Sequence, residues 1–132
     1  MAKRQFPCPC CGYIMFAEKP GSYDICRICF WEDDLVQLRD PHYPGGANHL
    51  SLLESQRNFQ AFGASEERFI RDVRRPKATE RQDPGWRPAD PTRDNLEHSL
   101  PEGGWESQWP NDLTELYWWR PTYWRRLTTA KR

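Results

Sequence analysis

The sequence predicts a small α+β protein in which a cysteine-clamped hairpin is followed by two short helices, with a Pro/Trp-rich C-terminal extension packed on them. Three observations carry this. Two Cys-x-x-Cys pairs stand close together near the start, a Ser-x-x-Glu helix start falls at Ser51, and the composition changes sharply at Pro76. The chain divides accordingly into a cysteine-rich module, 1–75, and an extension, 76–132. With 132 residues, 37% of them hydrophobic and 29% charged, it can bury one modest core but not two independent ones. Its 12 Pro and 8 Gly leave room for many turns and little long regular structure.

Charge and compartment narrow the function classes. Lys plus Arg is 19 and Asp plus Glu is 19, so the global basic excess of a nucleic-acid binder is absent. No apolar run approaches the roughly 20 residues of a membrane span. Lys3 and Arg4 lead into Pro and Cys rather than an apolar signal segment. The chain therefore reads as soluble and cytoplasmic, where thiols stay reduced and five cysteines point to metal rather than to disulfides.

Taking Cys8 with Cys11 and Cys26 with Cys29 gives two Cys-x-x-Cys pairs, the spacing of a four-thiolate Zn2+ site. A two-residue gap lets both sulfurs of a tight turn point inward while turn amides donate to them. Gly12 supplies a left-handed residue after the first pair. Tyr13–Phe16 and Gly21–Tyr23 read as two strands joined through Pro20 and Gly21, so that a zinc-ribbon hairpin brings the pairs together. Buried reduced thiols and redox chemistry are the competing readings; the latter lacks a βαβ context around either pair. Cys10 is left over, as a bystander, a spare or neighbouring thiol, or a nucleophile made acidic by the metal. Four thiolates already close a tetrahedron, so His42, His49 and His98 are not needed as ligands and no open position remains for catalysis.

The runs Cys8-Pro9-Cys10-Cys11-Gly12-Tyr13, Gly21-Ser22-Tyr23-Asp24-Ile25-Cys26 and Cys29-Phe30-Trp31-Glu32-Asp33-Asp34 are distinctive. With Gly45-Gly46-Ala47-Asn48, Ser51-Leu52, Gln56, Asn58 and Phe59, they resemble the bacterial cysteine-rich CPCC domain family over roughly residues 6–75. The resemblance implies a small zinc-ribbon-like module. Family members look like accessory proteins encoded near bacterial toxins, which implies an immunity role.

Further along, Glu32, Asp33 and Asp34 beside Trp31 are either a solvated turn or, with Asp40, an acidic surface for a basic partner, to which a tetrathiolate zinc adds negative charge. Asp40 to Gly46 is a loop on turn chemistry, without the continuation of a phosphate loop. Ser51 and Glu54 form a capping box, predicting a helix with Leu52, Leu53, Phe59 and Phe62 inward and Gly63 at its end. A second helix is expected after Ser65, with Phe69, Ile70 and Val73 on one side and Pro76 stopping it.

Seven of the 12 Pro and six of the 7 Trp lie between Pro76 and Trp124, too few aliphatics for an ordinary core. Wrapping over the first module is the structural reading, with a short helix over 111–119. Trp118, Trp119 and Trp124 among arginines are also the residue types that anchor protein contacts or stack on single-stranded bases. The expectation is a non-enzymatic, zinc-stabilised protein that binds a protein partner, a toxin domain on the resemblance, occluding it sterically through Glu32, Asp33, Asp34, Asp40 or the Trp-rich tail. The alternative is a nucleic-acid-binding ribbon using Arg71, Arg74, Arg75 and Lys77. A thiol enzyme using Cys10 is a third class.

Overall fold

In the computed structural model, which describes residues 3–98 and 101–126, two antiparallel strands open the chain: β1 (Phe6–Pro7) and β2 (Ile14–Phe16). Phe6 lies opposite Phe16 and Pro7 opposite Ile14, with an irregularity between them. The turn they enclose carries the first cysteine pair. This corrects the expected hairpin, because Gly21–Tyr23 is not a strand. Tyr23 sits at φ 63°, and its amide donates to the Asp33 carbonyl (3.1 Å). Each cysteine pair makes its own short pairing, the second through Ile25 opposite Glu32, so the Pro20-Gly21 turn only connects them.

Helix α1 (Leu35–Arg39) is a single turn absent from the sequence reading. Asp34 caps it, accepting from the Gln37 amide at 3.0 Å, and also accepts from the Ala47 amide at 2.8 Å. Gly46 is required beside it, since a Cβ there would meet the Asp34 carboxylate at 2.6 Å. Helix α2 (Leu52–Phe62) follows its predicted signals: Ser51 and Glu54 form the reciprocal capping box, and Gly63 ends the helix at φ 83°. Leu52 and Leu53 are buried and Phe59 is half-buried, but Phe62 is exposed rather than in the core.

The second expected helix does not form. Only a 3-10 turn, Glu67–Phe69, is present, and Ile70 is exposed. Ser65, the expected start, is instead bound down: its amide donates to the Cys29 carbonyl (2.8 Å) and its carbonyl accepts from Asn58 (2.9 Å). With no buried stripe to support it, so short a helix is not stable in water.

The extension wraps the module. Gln82 pairs opposite Tyr13 and the Ile14 amide donates to the Arg81 carbonyl (2.9 Å), continuing the hairpin with a third extended segment. The helix expected over 111–119 contracts to a 3-10 turn, Leu113–Leu116, capped by Asp112. Leu116, Tyr117, Trp118, Trp119 and Tyr123 then enter the same buried cluster as the cysteines, so the core runs continuously across Pro76. Tyr117 stacks on Trp119, and Trp118 meets Trp119 edge-on, both with ring centroids 4.8 Å apart. Arg39, 3% exposed, lies over the rings of Trp109 (4.4 Å), Trp124 (5.2 Å) and Trp105 (5.5 Å), and donates to Glu97 and to the Ser107 carbonyl. Among the described residues no helix is long and apolar enough to cross a membrane.

Candidate metal centre

The two cysteine turns share one hydrogen-bond pattern. In the first, the Cys8 amide donates to the Tyr13 carbonyl (2.8 Å) and the Gly12 amide to the Cys8 carbonyl (2.6 Å). In the second, the Cys26 amide donates to Trp31 (3.0 Å) and the Phe30 amide to Cys26 (2.7 Å). Gly12 and Phe30 are thus equivalent, and both are left-handed, at φ 84° and 71°. Glycine suits the first turn twice over, since a Cβ on Gly12 would meet the Trp86 ring at 2.5 Å.

These turns face each other and bring Cys8, Cys11, Cys26 and Cys29 together, all four sulfurs within 4.8 Å of one another and all four residues buried. The Cys8 and Cys29 sulfurs are 3.5 Å apart and those of Cys11 and Cys26 3.7 Å. Neither distance is a disulfide, and all five cysteines are free. A tetrahedron with metal–sulfur bonds of about 2.3 Å has sulfur–sulfur edges of about 3.8 Å, so the spacing fits one dication. The Ile28 amide donates to the Cys26 sulfur at 3.4 Å, the kind of bond that stabilises a thiolate.

Electrostatics favours the same reading. Burial pushes the Cys8, Cys11 and Cys29 thiols well above their ordinary pKa. Burial acts the same way at Cys26, but hydrogen bonds from Cys11, Cys29 and Cys8 outweigh it and hold that thiol well below. A dication held among these sulfurs would favour the ionised form of the three thiols that burial keeps protonated. Cys10 is also fully buried but lies outside the four-sulfur group. No histidine of the described residues belongs to that group.

The carbonyls behind the turns are held by side chains the sequence reading did not single out as site residues. Gln56, 2% exposed on α2, donates to the Pro9 carbonyl (3.1 Å) and accepts from the Ala89 amide (3.0 Å). Trp86 Nε1 also donates to Pro9 (3.1 Å), and Gln82 to Cys11 (3.0 Å). The extension thus braces the first cysteine turn directly. No spacing rule locates Gln56, Gln82 or Trp86, because each reaches its partner only after the chain has folded back.

The residues expected to face a partner are mostly spent inside. Asp33 is 1% exposed and accepts from the Ser22 hydroxyl (2.7 Å) and amide (3.1 Å). Asp34 is the α1 cap, and buried Asp40 accepts from the His42 amide (3.0 Å). Burial raises the pKa of Asp33 and Asp40. Glu32 is half-buried, its backbone paired to the Asn48 side chain. Trp118 and Trp119 are buried, donating to the Arg87 carbonyl (3.0 Å) and to Asp83 (2.7 Å), and Trp124 is half-buried beside Arg39. Asp33, Asp34 and Asp40 are thus caps and turn acceptors rather than an acidic surface, and Trp118 and Trp119 are core, while Glu32 and Trp124 stay half-buried.

Fold and site together define a small α+β protein with a buried four-cysteine cluster of metal-binding geometry. No curated protein matches the chain. The family model of the cysteine-rich CPCC domain matches residues 6–80, more than half of the chain, and the chain belongs to that family. Gln82, Trp86 and Ala89, which brace the site, lie beyond the matched segment.

Proposed function

We propose that Cys8, Cys11, Cys26 and Cys29 hold one structural Zn2+ and that the chain is a non-enzymatic protein-binding module. The single observation that supports this most is four mutually close sulfurs with no exposed member, at distances that suit a tetrahedron. A closed set of four thiolates leaves no coordination position for substrate or activated water, so the metal serves folding. Thiolates rather than carboxylates or imidazoles favour zinc over hard dications. The finer reading follows the family resemblance: the partner is a bacterial toxin domain, neutralised by stoichiometric occlusion. Its contact surface then lies away from Asp33, Asp34, Trp118 and Trp119, which the fold already uses.

The test is metal content and folding in the cysteine variants. The full chain purified under reducing conditions is expected to carry one zinc, and Cys26→Ser to lose both metal and cooperative unfolding. A zinc-loaded bait returned to the native cells is expected to retain a single protein stoichiometrically. Full metal content in Cys26→Ser would overturn the ligand assignment.

A further inference from the structure

Four of the five large apolar side chains left exposed among the described residues gather around one feature, the tip of the second cysteine turn. They are Tyr23, Ile25, Phe62 and Ile70; the fifth, Tyr43, rests edge-on against Trp105. Two grooves flank the tip. The first, of about 490 Å³, runs between the end of α2 and residues 70–76, with Ile28, Phe59, Phe62, Ile70 and Val73 along it. Its only charged lining residues are Arg74 and Arg75. The second, of about 550 Å³, contains Tyr23, Ile25 and Phe30 together with Arg4, Arg27, Asp24 and Asp72. The ridge between them is tied by the Arg74 amide donating to the Arg27 carbonyl (3.3 Å).

Two of the three non-glycine residues with positive φ among the described residues fall on the same face; the third, Gln108, lies elsewhere. Tyr23 and Phe30 both take left-handed φ, 63° and 71°, which costs a bulky L-residue on the order of 1–2 kcal/mol. The equivalent place in the first turn is Gly12, so the hydrogen-bonded turn itself asks only for glycine. An aromatic kept at such a cost next to an open groove is the pattern of a contact residue. Charge supplies the sign of the partner. Arg4 and Arg74 share Glu80, whereas Arg27, Arg71, Arg75 and Lys77 pair with no carboxylate among the described residues.

We propose that this face binds an acidic segment of a protein partner, with an apolar side chain seated between α2 and residues 70–76 and carboxylates beside Arg27 and Arg75. The proposal deepens the protein-binding reading and rests on it. It places contact on a basic and apolar face, the reverse of the acidic surface the sequence suggested. A protein segment suits this face better than nucleic acid does, because the chain has no net positive charge and two of the arginines beside the grooves, Arg4 and Arg74, are already paired with Glu80.

Titration of the isotopically labelled, zinc-loaded full chain with synthetic peptides tests it. One set carries a Phe or Leu among Asp and Glu; a second replaces the acids by Lys; a single-stranded oligonucleotide is the third probe. Acidic peptides are expected to shift amides at 25–30, 59–63 and 70–75, and to weaken as salt rises. Phe62→Ser and Arg75→Glu are each expected to weaken them about tenfold with zinc content and fold unchanged. Shifts gathered on another face would overturn the location while leaving a protein-binding function standing. A stronger response to the Lys peptides or the oligonucleotide would overturn the partner class, and no response to any probe would overturn the groove. Metal content, measured on the same sample, reports separately on the zinc reading.

Discussion

At Phe30 the chain keeps an aromatic where the matching position, Gly12, is glycine, although both turns close with the same two hydrogen bonds. Tyr23 is the freer of the two left-handed aromatics, 61% exposed, so relief there loses little packing. Tyr23→Asn, a residue that tolerates left-handed backbone, is expected to raise stability by about 0.5–1 kcal/mol. A higher urea midpoint at unchanged zinc content would register it. The cysteines separate as sharply. Cys10→Ala is expected to retain one metal per chain and lose only about 1 kcal/mol, the usual scale of a small truncation in a core. The four clustered cysteines were legible because their paired spacing alone brings sulfurs together. The roles of Asp33 and Asp34 were not, since a carboxylate in a sequence does not show whether it faces water or an amide, and here Ser22, Gln37 and Ala47 supply the donors.

At the scale of elements, α2 was legible at both ends because its signals are local: Ser51, Glu54 and Gly63 act within a few residues of one another. Ser51→Ala is expected to cost about 1 kcal/mol, read as a lowered unfolding midpoint with the metal retained. Helix α1 went unread because a single turn has no period to detect, and its cap is one of the acids taken for surface. The opposite error, a helix after Ser65, came from an apolar pattern at Phe69, Ile70 and Val73 that the fold leaves on a groove wall or half-buried. Gln56 ties α2 to the first cysteine turn and to the extension. Gln56→Leu keeps the volume but strands the Ala89 amide and leaves the Pro9 carbonyl with Trp86 as its donor, and is expected to cost about 1–3 kcal/mol in equilibrium unfolding.

For the molecule as a whole, the cysteine cluster and the tryptophan-rich extension share one core. Trp118→Ala is accordingly expected to destabilise the protein by about 3–5 kcal/mol, measured by chemical unfolding of the zinc-loaded chain. The general role of the extension was legible, because tryptophans without aliphatic neighbours must cover something. Its path was not, since Trp86 on Gly12 and Trp119 on Asp83 are meetings of distant segments that no local pattern encodes. Metal binding and packing of this shared core are expected to be one event. The most direct measurement is titration of the reduced, metal-free full chain with zinc while the near-ultraviolet circular dichroism of its tryptophans is followed. The aromatic signal, weak without metal, is expected to develop in proportion to zinc and to stop at one equivalent. A full aromatic signal before any zinc is added, unchanged by its binding, would contradict that expectation.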